Sequence, residues 1–194
     1  MSNLAADALV GRLILIDGTV TIKRTGIEKA IAAKEGDDIS VTDILQTGKN
    51  SRAQIVFTDD SVVNISSEAG LRVNQYIYDS VNNRRSTVVK VLKGKARFVI
   101  YKYRSRDSGF KVETDKALIT ANIADFVVVA SPAETEVAVL DNNVSVKNIS
   151  FLTVGVIRLG ANQKAIVKEK TPPSQPSVIT LQQRRAYIKD VHNF

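Results

Sequence analysis

Along most of this chain a run of four or so apolar residues meets a turn of Asp, Asn or Gly and is followed by another short run. That grammar constrains the fold more than any other feature. Leu13-Ile14-Leu15-Ile16 leads into Asp17-Gly18 and then Thr19-Val20-Thr21-Ile22. Gln54–Phe57 leads through Thr58-Asp59-Asp60-Ser61 into Val62–Ile65, and Val137–Leu140 leads through Asp141-Asn142-Asn143 into Val144–Val146. Gly, Asn and Asp accept the positive φ that a tight reversal demands, so each triplet predicts a β-hairpin. Three hairpins of one design predict an all-β domain. Their spacing follows no fixed repeat, which excludes a regular solenoid.

Further strands are expected near 71–78, 88–92, 110–113, 117–120, 126–130 and 165–168. Phe126-Val127-Val128-Val129-Ala130 is too continuously apolar for a half-exposed strand and is expected to be buried on both faces. In Lys95–Tyr101 the alternation turns Ala96, Phe98 and Ile100 inward and Lys95, Arg97, Val99 and Tyr101 outward. Glu28–Lys34 holds helix-forming residues over about two turns, which predicts at most an insertion or a short helical turn.

Residues 171–177 contain three of the four prolines and can be neither ladder nor helix interior. Beyond them Thr180 and Gln183 suit a capping box. Leu181, Ile188 and Val191 fall on one side of a helix, with Arg184 and Arg185 beside them. This tail helix can dock on the β-domain or on another molecule. The expected organisation is an N-terminal lead (1–9), a β-domain (10–170), a Pro-rich linker (171–178) and a C-terminal amphipathic helix (179–194). The expected fold class is an antiparallel-rich two-sheet sandwich or short β-roll.

Charge narrows the partner. The chain of 194 residues carries a net charge of +7, which favours anionic surfaces. Ten basic residues fall between Arg84 and Lys111 with Asp107 alone opposing them, so this stretch holds +9 and the remainder −2. Arg84, Arg85, Lys93, Lys95, Arg97, Tyr101, Lys102 and Arg104 are therefore the candidate contacts for an acidic polysaccharide or nucleic acid, cations following the charges and rings stacking on bases. The structural alternative is one wet, edge-protecting strand face.

Catalysis finds little footing. The absence of cysteine removes thiolate chemistry and cysteine-based metal sites. The single histidine, His192, is two residues from the end, and Asp37-Asp38 and Asp59-Asp60 fall in predicted turns, where Asp serves the backbone. Neither a phosphate-cradling glycine motif nor a calcium ladder is present. The expectation is a non-enzyme without cofactor or metal. No apolar run approaches the roughly 18 residues of a membrane span. The first residues lack the basic and apolar regions of a secretory leader, which suits either a cytosolic start or a start placed after a removed leader.

An ordered series of pieces carries a resemblance: Gly36-Asp37, Ile44–Gly48, Ser51–Phe57, Asp60–Ile65, Leu71-Arg72-Val73, Val91–Gly94, Phe110–Thr114, Ala117–Thr120, Asp125–Val128, Val139–Val146 and Leu159–Gln163. Over roughly residues 10–170 this order resembles the FecR domain, a β-rich module of bacterial envelopes. The resemblance implies a periplasmic or extracellular protein-interaction module without catalysis. Its partner would be an envelope protein held by a strand edge or face, with the tail helix (Leu181, Arg184, Arg185, Ile188, Val191) as a second contact. A self-associating scaffold subunit and a binder of anionic polymer are the alternatives. Two departures stand out. Asn122-Ile123-Ala124 occupies the place of the family's Arg-Gly-Thr-like turn, and the cytoplasmic anti-sigma segment and membrane span of well-known relatives do not occur in this sequence.

Overall fold

The computed structural model describes residues 9–82, 84–101, 108–150, 152 and 154–192. In chain order the strands are β1 (Leu9–Asp17), β2 (Val20–Lys23), β3 (Ile31–Ala32), β4 (Asp38–Ser40), β5 (Ile44–Thr47), β6 (Arg52–Phe57), β7 (Val62–Ile65) and β8 (Gly70–Asp79). The second half holds β9 (Arg84–Ile100), β10 (Gly109–Glu113), β11 (Ala117–Ala121), β12 (Ala124–Ala130), β13 (Glu134–Asn148), β14 (Val156–Gly160), β15 (Gln163–Lys168) and β16 (Ser177–Val178). One helix, α1, spans Leu181–Ile188. No helix of the described residues is long and apolar enough to cross a membrane.

Two sheets face each other. Sheet A runs β4-β1-β6-β7-β9-β12-β13-β15-β16 and sheet B runs β3-β2-β5-β8-β9-β10-β11-β13-β14. Every described pairing is antiparallel except β9 with β10. The expected all-β two-sheet architecture is thus the observed one.

The sheets are joined because β9 and β13 each belong to both. The first half of β9 pairs with β8 and β10 in sheet B, and its second half with β7 and β12 in sheet A. The bend falls at Gly94, whose φ is +78°. A Cβ there would stand 2.6 Å from the Ala69 Cβ, so position and conformation both demand glycine. In β13 the bend falls at Asn142, with φ of 61°, a conformation that Asn tolerates better than most residues.

These bends revise two of the three expected hairpins. Residues 54–65 do form one, β6 with β7. Asp17-Gly18 instead carries the chain from β1 in sheet A to β2 in sheet B, and the two strands do not pair. Asp141-Asn142-Asn143 lies inside continuous β13. A residue that permits positive φ permits a sheet-to-sheet bend as readily as a reversal, and only the partners decide between them. Residues 28–34 form no helix. Ile31 and Ala32 make a short edge strand on β2 instead.

Between the sheets lies one apolar core, with Phe57, Phe98, Phe110 and Phe126 fully buried at its centre. The Phe98 and Phe126 rings stack at 5.3 Å between centroids. Burying such side chains contributes about 2–3 kcal/mol each before entropy is counted. Strand β12 is buried on both faces: Phe126 and Val128 face this core, while Val127 faces a second, smaller cluster beneath α1.

Candidate interaction surfaces

The tail helix docks on its own domain. Tyr187 and Ile179 pack with Val127, Ala138 and Leu140 on the outer face of sheet A. An eight-residue helix is marginal alone, and specific contacts hold this one. Thr180 and Gln183 form the expected capping box. Lys95 Nζ donates to the carbonyls of Ala186 (3.3 Å) and Lys189 (2.5 Å) at the helix C-terminus, where a cation also meets the negative end of the dipole. Arg184 Nη1 donates to Leu140 O and Asn162 Oδ1 at 2.9 and 2.7 Å. Tyr187 Oη donates to Glu136 Oε1 at 2.5 Å, and Glu136 also pairs with Lys164. Burial first, and then the Glu136 carboxylate, push the Tyr187 phenol up to about 12.

The expected apolar stripe changes accordingly. The helix ends at Ile188, so Leu181 and Val191 do not share its face: Leu181 is 78% exposed, while Val191 is buried after the chain has left the helix. Tyr187 and the half-buried Ile188 make the contact instead, and Arg185 points to solvent. The stretch before the helix, expected to join no ladder, is likewise tied down, and Ser177 at its end pairs with Lys164. Ser174 N–H donates to Ile166 O at 2.9 Å, and β16 pairs with β15.

The described residues of the basic segment do not form one patch. Arg84 is exposed near Asp79, and Lys93 is exposed at the bend of β9. Arg85 lies in the interior, fully buried, with Nη1 3.0 Å from Asp59 Oδ2 and Nη2 2.8 Å from Asn122 O. It is therefore unavailable to an external anion. Ser61 N–H donates to the other Asp59 oxygen, and Arg85 N–H donates to Ser108 Oγ. Asn122 Nδ2, with the amide oriented to satisfy both its atoms, donates to Ser108 O at 2.8 Å. The turn that departs from the family pattern thus closes this buried network. Burial, and then the Asp59 charge, raise the Tyr76 phenol far above its usual range.

Lys95 lies under the helix, where burial lowers its pKa. Arg97 holds Asp125 in a two-pronged bridge (2.8 and 2.7 Å) that raises its pKa, and its Nη1 reaches Val191 O. Both were expected to face solvent; they face outward from sheet A, but α1 and the residues after it cover that side. Tyr101 is half-exposed, and Lys102 and Arg104 lie outside the described residues.

The outer face of sheet B is the opposite case: of the cations on it only Lys90 and Lys111 belong to the basic stretch 84–111, and the others are scattered along the chain. Lys23 (β2), Arg72 (β8), Lys111 (β10), Lys147 (β13) and Arg158 (β14) are exposed there, and Lys90 (β9) is bridged to Asp115 at 2.7 Å. The available signal was a cation flanked by inward residues, as in Leu71-Arg72-Val73, Phe110-Lys111-Val112 and Val146-Lys147-Asn148. Each is an ordinary alternating strand by itself.

The third surface is an edge. Among the described residues, strand β14 pairs on one side only, with β13. Val156 on that strand is 65% exposed, and Leu152 and Val154 just before it are 70% and 90% exposed. Among the described residues no group of three or more His, Asp or Glu is placed to hold a metal. The adjacent carboxylates serve structure: Asp38 bridges Arg12, Asp37 accepts from Lys34 N–H, and Asp59 is buried with Arg85.

Residues 43–145 match the family described as FecR protein. A crystal structure at 1.65 Å resolution of a candidate anti-sigma factor from Parabacteroides distasonis ATCC 8503 superposes with a TM-score of 0.57 at 21% identity, over 75% of this chain and 64% of that one. A second crystal structure of the same description, at 2.50 Å, gives a TM-score of 0.57 at 21% identity and covers 63% of that chain. The likeness is one of fold, and this chain spans less than two thirds of that protein's length. No curated protein matches it.

Proposed function

The chain belongs to the FecR protein family, and from that premise we propose that it is a non-enzymatic protein-interaction module serving signalling at the bacterial envelope, on its periplasmic side. The fold shared with a candidate anti-sigma factor supports a regulatory role. The observation that carries the reading is the open edge of β14. An unpaired row of backbone N–H and C=O groups beside exposed Val156, Val154 and Leu152 is a template on which a partner can add a strand, main-chain bonds supplying affinity and side chains specificity. The tail helix, engaged on its own sheet, is part of the body that holds this edge rather than a free second arm.

The test is capture from bacterial envelope extract, washed at high salt, by the native chain and by a V154K/V156K variant. Lysines blunt an edge without entering the core. The reading expects one protein retained by the native chain and lost from the variant, with the amides of 156–160 gaining exchange protection when that protein is added back. Equal retention by both chains removes β14 as the contact. Concentration-dependent assembly of the native chain alone, abolished by the same lysines, would assign the edge to a scaffold of identical subunits.

A further inference from the structure

Two rows of side chains cross the outer face of sheet B at right angles to its strands. In one, Val156, Lys147, Leu118, Glu113, Lys90, Arg72, Ile44 and Lys23 are successive cross-strand neighbours. In the other, Arg158, Ser145, Thr120, Lys111, Val88 and Gln75 are. Six cations drawn from six strands stand on these rows, opposed by Glu113 and by Asp115 at its bridge to Lys90. From β2 to β14 there are seven inter-strand steps, about 34 Å at the usual spacing. Each end of the face has a hollow. Lys23, Arg24, Arg72, Thr25 and Thr42 line one of about 430 Å³, and Arg158, Asn143, Ser145 and Thr120 line one of about 380 Å³.

We infer that this face binds an extended acidic polysaccharide, laid across the strands. Three features select that occupant. The cations are spaced over the whole width rather than gathered at one point, which matches a chain carrying a charge at each repeat and gives a single small anion no focus. Hydroxyl and amide side chains share the second row with them: Ser145 and Thr120 lie between Arg158 and Lys111, and Gln75 lies beyond Val88, offering hydrogen bonds to sugar hydroxyls. No aromatic ring of the described residues stands on the face, because Tyr76, Tyr78 and Phe110 turn inward, so the stacking platform that single-stranded nucleic acid uses is missing. Among the described residues the face presents no helix to enter a duplex groove. On sheet A, by contrast, Lys95 and Arg97 are covered by α1 and the residues after it. The inference is independent of the β14 edge: it depends on charge, and the edge depends on backbone.

The experiment is titration of the full chain with polygalacturonate at several salt concentrations, with neutral dextran, oligo-dT and anionic phospholipid vesicles in parallel. The variant R72E/K111E/K147E changes three exposed cations that lie off the β14 edge, and K170E is the control away from the face. Circular dichroism and urea unfolding establish that each variant is folded. The expected result is polygalacturonate binding that falls with salt, as ionic contacts to a polyanion do, is weakened at least about tenfold in the triple variant and is unchanged in K170E. Binding that survives the triple reversal overturns the inference. So does dextran binding equally well, or oligo-dT or vesicles binding more tightly than polygalacturonate.

Discussion

Arg85 and Asp59, 26 positions apart in the chain, meet in the interior with Nη1 3.0 Å from Oδ2 and neither side chain exposed. The guanidinium also reaches the Asn122 carbonyl and lies 5.8 Å from the Phe110 ring centroid. The pair ties the β6–β7 turn to the start of β9 and to the β11–β12 turn. It converts what reads as surface charge into an internal fastening.

Removing one partner leaves the other charged and buried. D59A is expected to destabilise the fold by about 3–5 kcal/mol, while replacing both residues with apolar ones of similar volume costs far less. Urea unfolding of the single and double variants checks this. A loss under 1 kcal/mol for D59A would show that the pair is not a fastening.

Gly94 cannot take a side chain without displacing Ala69, and its φ of +78° is unfavourable for other residues. G94A is expected to cost more than about 1 kcal/mol. The strain acts where β9 passes between the sheets, so the loss is expected in global stability and not only in local exchange. Thermal melting measures it.

The helix should be separable from the core. Y187A removes its main apolar anchor and the bond to Glu136, and K95A removes the donor to its last carbonyls. Either variant is expected to expose 180–191 to proteolysis and raise amide exchange there at least tenfold, while the exchange of β6 and β9 core amides stays unchanged. Loss of protection in the core would mean that helix and sheets unfold as one unit.

Alkaline pH acts at the same contact. The folded Tyr187 pKa, about 12, lies above the ordinary phenol value near 10. Its contribution is therefore whole below pH 10 and is lost as pH rises through 12. Lys164, raised by its hydrogen bond to Glu136, acts in the same direction, whereas Lys95, lowered by burial, opposes them. Titration at 295 nm is expected to show two of the five tyrosines, Tyr76 and Tyr187, ionising late. Y187F should remove one late component. Five equivalent tyrosines would contradict the burial of Tyr76 and Tyr187.

Local sequence determined where the strands run. Alternation in 95–101 and 110–113, and the double-sided apolar run of β12, follow from which side chains must leave water, and that is readable a few residues at a time. The capping box at Thr180 was equally local. Tertiary structure alone decided how the strands are shared. Whether Asp17-Gly18 or Asp141-Asn142-Asn143 reverses the chain or bends it into the other sheet depends on partners tens of residues away. The fate of the basic residues was decided the same way. Contiguity in sequence put Arg85, Lys95 and Arg97 together on paper, but alternation, the Gly94 bend and the docked helix sent the first to the core and the other two beneath 186–191. Meanwhile Lys23, Arg72, Lys111, Lys147 and Arg158, from five separate stretches of the chain, came to share one sheet face, because strand pairing sets distant segments side by side at about 5 Å per strand and a linear reading of charge has no register.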